Sequence, residues 1–232
     1  SRLADIDGDT KPEMAVGRWP VRTEEEVESL VERTLAYEQG SANEKVIFAV
    51  DDSESRFSSI ASELTRTSNL PQDRVRILEG PLVGEITAEL NGGSWLATYI
   101  GHGSIGRWGK EGIFELDAVD GLAADTPPIL IQLTCLTGLF SHPEEISLTE
   151  AMLNHPNGPV LTVAATSLTL SGHQEPFARE LLKKLQDPSI VRMGDAFQEA
   201  KLSLDVENSK GLREISDTFA LFGDPSTIIV RP

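Results

Sequence analysis

Five short runs of mainly apolar residues, four of them free of charge, punctuate this chain. They are Val46–Val50, Val75–Leu78 (with Arg76 within it), Leu96–Ile100, Ile129–Leu133 and Pro159–Ala164. Runs of this length without alternation are typical of strands buried on both faces, as in a parallel sheet. Between them the pattern changes to the helical period. Thr23 caps a helix that begins Glu24-Glu25-Glu26, carries Val27, Leu30, Val31 and Leu35 along one side, and stops at Gly40. Phe57, Ile60, Ala61 and Leu64 form the stripe of a second helix over 54–67. Further helices are expected at 82–90, near 148–153 behind Ser147, at 175–185 and at about 194–206. Glu13–Arg18 reads as a short first strand and Thr227–Val230 as the last, with Phe219–Ser226 as a turn before it. The alternation of strand and helix predicts an α/β fold: a three-layer sandwich with a mainly parallel sheet of about six strands and helices on both faces.

Two of the strands end in reactive chemistry. The run from Trp95 closes in Gly101-His102-Gly103, and the run from Ile129 closes in Thr134-Cys135, with the chain's one cysteine. In open α/β sheets the functional site lies at the carboxyl ends of the strands. A cysteine attacks as its thiolate and needs a neighbouring base, so Cys135 is the candidate nucleophile and His102 its acid/base partner. Gly103 lets the main chain approach a substrate, and its N–H together with that of Cys135 is the candidate oxyanion hole. The glycine-rich stretch 101–121, carrying Trp108, reads as a long loop at this edge, with a turn of helix near Leu116–Leu122. The small, polar loop Ala165–His173 reads as a pocket wall. Trp108, Thr166 and Ser167 are therefore the candidate substrate contacts. The other histidines, His142, His155 and His173, stand beside proline or glycine or in loops and read as surface residues.

Composition narrows the alternatives. At 232 residues the chain can bury a sizeable core, and its content of 39% hydrophobic and 25% charged residues is ordinary for a globular domain. No apolar run approaches the roughly 20 residues of a membrane span. A formal charge of −17 repels phosphate backbones, and the pair Lys183-Lys184 is no basic patch, so no nucleic-acid partner is expected. One cysteine excludes an internal disulfide, and no organic cofactor motif is present. Asp5, Asp7 and Asp9, followed by the Lys11 main chain and Glu13, space their oxygens as a calcium loop does; an acidic turn in water is the alternative.

The motifs also combine. Glu13-Met-Ala-Val-Gly-Arg-Trp-Pro20, Tyr37-Glu38, Asp51-Asp52, Tyr99-Ile-Gly-His-Gly-Ser104 with Trp108-Gly109, Leu133-Thr-Cys-Leu-Thr-Gly138 and Leu221-Phe-Gly-Asp-Pro225 span nearly the whole chain. Together they resemble the gingipain family of cysteine peptidases, part of the caspase-like group. The resemblance implies a single caspase-like catalytic domain over 1–232, with Cys135 as nucleophile, His102 as general acid/base and Glu13 as the carboxylate orienting the histidine. That leaves Asp5, Asp7 and Asp9 as ligands of a structural calcium ion. It also implies a polypeptide substrate, a secreted or cell-envelope location, and a preceding subdomain of the same precursor, so that this chain is expected to be a fragment. Known members carry a tryptophan on the loop that here reads Thr166–Gly172 without an aromatic residue. Two other readings of the residues stay open: a sortase-like transpeptidase, and a non-catalytic binding or scaffold domain of the same fold.

Overall fold

The computed structural model describes residues 4–9 and 11–232. The opening Ser1-Arg2-Leu3 and Thr10, inside the acidic loop, lie outside the described residues. The main sheet has seven strands in the order β1-β10-β9-β8-β4-β2-β3. These are β1 (Gly17–Arg18), β2 (Val46–Val50), β3 (Val75–Glu79), β4 (Leu96–Ile100), β8 (Ile129–Leu133), β9 (Leu161–Ala165) and β10 (Phe219–Phe222). All neighbours pair in parallel except β9 and β10. Every residue of β2, β4, β8 and β9 is buried, which is what their unbroken apolar runs require.

Alternate side chains of each strand enter two separate cores. Phe48, Leu96, Ile100, Ile131, Leu133 and Val163 pack with Phe57, Ile60 and Leu64 of α2 (Ser55–Thr67) and with Phe177, Leu181 and Leu185 of α5 (Ser171–Gln186). On the opposite face, Ile47, Ala49, Tyr99 and Leu130 meet Ile86 and Leu90 of α3 (Val83–Asn91) and Leu148 and Met152 of α4 (Leu148–Asn154). Leu30 of α1 (Glu24–Gln39) joins Leu153, Ala164 and Phe222 beside this second core. The three-layer α/β expectation therefore holds, with seven strands where about six were expected. Thr23 and Glu26 form the expected capping box of α1, and Ser147 and Glu150 form that of α4.

The carboxyl-terminal third departs from the sequence expectation. Thr227–Val230 is not a strand; Ile228 makes only an isolated bridge to Arg192. The strand is Phe219–Phe222, which the pattern read as a turn because Gly223-Asp-Pro225 follows so closely. Its Phe219 and Leu221 enter one core while Ala220 and Phe222 enter the other. Glycine at 223, with φ of 122°, then turns the chain away. The helix expected over about 194–206 is α6 (Met193–Leu202), and a further helix that was not expected follows it, α7 (Lys210–Thr218), capped by Ser209. It is only nine residues long and buries only Ile215 and Ser216 fully, too short a stretch to stand out from the loops around it. The first strand shrinks to two residues, and the long loop after β4 contains a small antiparallel sheet of β5 (Gly103–Ser104), β6 (Arg107–Trp108) and β7 (Phe114–Glu115).

Candidate active site

β4 and β8 lie side by side in parallel, with Ile100 opposite Leu133. His102 and Cys135 each stand two residues beyond that last rung, so one sheet edge carries both. The approach is close on the glycine side: a Cβ added at Gly103 would collide with the hydroxyl of Thr134, the residue before the cysteine. Only glycine lets the two strand ends sit this tightly together.

His102 is fixed at both ends. Its main-chain N–H donates to Asp51 Oδ2 at 3.1 Å, and its carbonyl accepts the Tyr99 hydroxyl at 2.6 Å. Burial works to raise the Asp51 carboxyl, but hydrogen bonds from Ser53 and from the His102 main chain outweigh it and hold the group below its ordinary value. Burial pushes the Tyr99 phenol up, so it remains a donor. The imidazole meets Phe57 edge-on, with ring centroids 5.1 Å apart, and its Nε2 lies 2.7 Å from Glu54 Oε1. Glu54 is the N-cap of α2 but makes no capping bond with its side chain, which leaves its carboxylate for the histidine. With Nε2 so engaged, Nδ1 is the ring nitrogen left for the thiol.

Cys135 is half-buried at the tip of a tight turn. Leu136 has a left-handed φ of 63°, and Thr137 N–H donates back to Cys135 O at 2.8 Å. A side chain rarely adopts that backbone, and the contact of Leu136 N–H with Ser167 O at 3.2 Å helps hold it. Sulfur itself is bracketed by Thr169: Sγ–H donates to its carbonyl at 3.3 Å, and its N–H donates to Sγ at 3.4 Å. Buried Gln174 supports Thr169 by donating to its hydroxyl at 2.7 Å. No hydrogen bond joins Cys135 directly to His102. The Cys135 N–H has no protein acceptor among the described residues, as an oxyanion donor requires.

Three expected site residues stand elsewhere. Glu13 does not reach His102; it accepts a hydrogen bond from Ile6 N–H, and its oxygen falls within 4.8 Å of those of Asp5, Asp7 and Asp9. The reason is local: Glu13 N–H donates to Ala4 O at 2.7 Å, which folds the segment back over its own acidic loop. Trp108 is 1% exposed and no wall of a substrate pocket. It stacks on Tyr99 with centroids 4.5 Å apart, and its Nε1 donates to buried Gln132 at 2.7 Å. It anchors the small sheet to β4 and β8. Thr166 turns its hydroxyl to Thr218 O at 2.8 Å, whereas Ser167, through its carbonyl, touches the cysteine turn. His142, His155 and His173 are half-buried rather than surface residues. Glu54 and Thr169 are the contacts that sequence reading missed. Glu54 stood in plain view at a helix start after the Asp51-Asp52 strand end, where its partner could not be seen.

The sequence matches the profile of peptidase family C25 over residues 1–229. The chain belongs to peptidase family C25. Gingipain R2 of Porphyromonas gingivalis is 23% identical over 97% of this chain, and gingipain R1 is also 23% identical over 97%. The chain spans 34% and 25% of their respective lengths. Among solved structures, the Arg-specific cysteine proteinase gingipain R superposes with a TM-score of 0.82 at 21% identity, over 97% of this chain and 57% of that one. The complex of the pro- and mature domains of Porphyromonas gingivalis RgpB gives 0.84 at 21% identity, over 98% and 60%. The separase of the Saccharomyces cerevisiae separase–securin complex gives 0.63 at 14% identity, over 85% and 13%. At these identities the structural likeness speaks for the fold: this C25 chain shares the gingipain and caspase-like architecture. No helix among the described residues is long and apolar enough to cross a membrane.

Proposed function

We propose that this chain is the catalytic domain of a cysteine endopeptidase, with Cys135 as nucleophile and His102 as its general acid/base. The observation that carries this is the pairing of β4 with β8, which brings the histidine and the cysteine past the same rung of the sheet. In this reading Nδ1 of His102 takes the thiol proton, Sγ attacks the peptide carbonyl, and the oxyanion meets the N–H groups of Cys135 and Gly103. The imidazolium returns the proton to the leaving amine, giving a thioester on Cys135. A water deprotonated by His102 then releases the acid and the free thiol. Glu54, rather than Glu13, holds the ring for these transfers.

Calcium belongs to the same reading. Carboxylates of Asp5, Asp7, Asp9 and Glu13 lie within 4.8 Å of one another, and hard oxygen ligands at such spacing suit that ion. Its part would be to tie down the amino-terminal segment, not to take part in the reaction. The polypeptide substrate, the preceding subdomain of one precursor and a secreted or envelope location complete the proposal. They draw on kinship with the gingipains, one of which is known in complex with its own pro-domain.

The test is covalent labelling. A peptidyl acyloxymethyl ketone should modify Cys135, located by mass spectrometry, and His102→Ala should slow that modification by at least about a hundredfold. Labelling at the rate of an ordinary thiol in both proteins would leave a scaffold as the better account.

A further inference from the structure

Cys135 and Thr169 belong to different loops, the first following β8 and the second following β9. Thr169 brackets the sulfur through its main chain, accepting from Sγ–H at 3.3 Å and donating to Sγ at 3.4 Å. Where the sulfur sits therefore depends on where Thr169 sits. The residues on either side, Leu168 and Leu170, are both exposed, so apolar packing does not pin this stretch. Its position has to be set by hydrogen bonds.

Gln174 supplies them. It stands in the first turn of α5 and is 3% exposed, too deep to meet a substrate itself. Its amide nitrogen donates to Thr169 Oγ1 at 2.7 Å and to Thr134 O, on the residue before the nucleophile, at 3.3 Å. A carbonyl only accepts, so the nitrogen end of the amide must face it. With the amide donating to the Thr169 oxygen, the hydroxyl's own hydrogen is left for Thr134 O at 3.5 Å or for Sγ at 4.0 Å. One NH2 group thus joins both loops, and α5 ties it to the core through Phe177, Leu181 and Leu185. A side-chain amide is suited to this place because it offers two donors on one nitrogen and brings no charge into a buried site; a carboxylate offers none.

We propose that Gln174 is a positioning residue for the nucleophile, clamping the Thr134 and Thr169 main chains so that the Cys135 sulfur keeps one place relative to His102. The proposal rests on the cysteine-peptidase reading of the same site. Gln174 acts through Thr169 and never touches the reacting atoms. Its effect is on the rate of the chemical step, because a small misplacement of a reacting atom is enough to slow attack.

The kinetics of Cys135 labelling by a peptidyl acyloxymethyl ketone test this, with the maximal rate and the half-saturating probe concentration measured separately. Gln174→Met fills the same space without a donor. It should lower the maximal rate about tenfold and leave half-saturation within about twofold, since position 174 does not meet the probe. Thr169→Val should lower the maximal rate by a similar factor, and Thr169→Ser, which keeps the hydroxyl, should recover most of it. The double variant Gln174→Met/Thr169→Val should be no slower than the slower single variant, because both changes remove one shared contact. A maximal rate unchanged in Gln174→Met, losses that multiply in the double variant, or Thr169→Ser as slow as Thr169→Val would each overturn the assignment. If Gln174→Met does not fold, the Thr169 variants decide: Thr169→Val at the native rate overturns the clamp, and a loss recovered in Thr169→Ser supports it. Fast native labelling that His102→Ala slows, with Gln174→Met unchanged, removes only the clamp. Native labelling at the rate of an ordinary thiol removes the peptidase reading and the clamp with it.

Discussion

Glu54 shows how little energy a functional contact needs. Its carboxylate is about half exposed, so its hydrogen bond with His102 contributes little to stability. In the proposed mechanism its value lies in presenting one ring nitrogen and leaving the other for the thiol. Glu54→Gln should therefore leave the melting temperature nearly unchanged and lower kcat roughly 10- to 100-fold with KM little altered. Glu54→Asp should recover part of the loss. A parallel Glu13→Gln variant should keep its turnover; if it loses turnover and Glu54→Gln does not, the orienting role returns to Glu13. Gly103 gives a second prediction at this scale. A methyl there would collide with Thr134 Oγ1, so Gly103→Ala should slow Cys135 labelling at least about tenfold. Thr134 Oγ1 has no hydrogen-bond partner among the described residues, so Thr134→Ala in the same chain should restore much of the rate. His102 and Cys135 were legible because an apolar strand that stops at a reactive residue is a local pattern. Glu54 was not, because its meaning depends on a side chain 48 residues away.

Among the elements, β10 and α6 carry a buried charge. Lys201 is 3% exposed, donates to Phe219 O at 2.8 Å and lies 4.5 Å above the Phe197 ring. Burial brings its amine down from an ordinary 10.5 to about 8. The folded chain therefore gives up this proton before the unfolded chain does, and the unfolded state binds more protons between those values. This group's contribution to stability should rise as the pH rises from about 8 to 10.5 and be level outside that window. Denaturant melts across the window should show the rise in the native chain, and Lys201→Met should lose it. The same region is where the elements were least legible. Strand β10 was hidden beside a glycine-proline turn, and α7 shows too narrow a buried stripe. The four buried strands and α1 to α4 were legible because each repeats one period for its whole length.

For the whole molecule, charge is the dominant fact. With −17 formal charges the folded state repels itself, and four of its carboxylates crowd into the loop 5–13. That loop is bound to the body by Gln198, which donates to Pro12 O at 2.8 Å, and by the ion pair of Lys11 with Glu207 at 2.9 Å. A cation held there stabilises the whole domain by mass action. Calcium at a few millimolar should raise the melting temperature of chelator-treated protein by more than sodium chloride of equal ionic strength does. An equal rise in both would mean simple screening.

The sequence by itself determined the buried strands, the helix starts at Thr23 and Ser147, and the two reactive residues at strand ends. Each of these is written in neighbouring positions, through period, cap or punctuation. Tertiary structure alone decided which strands adjoin, that Trp108 is a buried anchor, that Glu13 stays with the aspartates, and that Glu54 and Thr169 reach the reactive pair. Those outcomes depend on residues far apart in sequence competing for the same space and the same hydrogen bonds, and no local pattern records who wins.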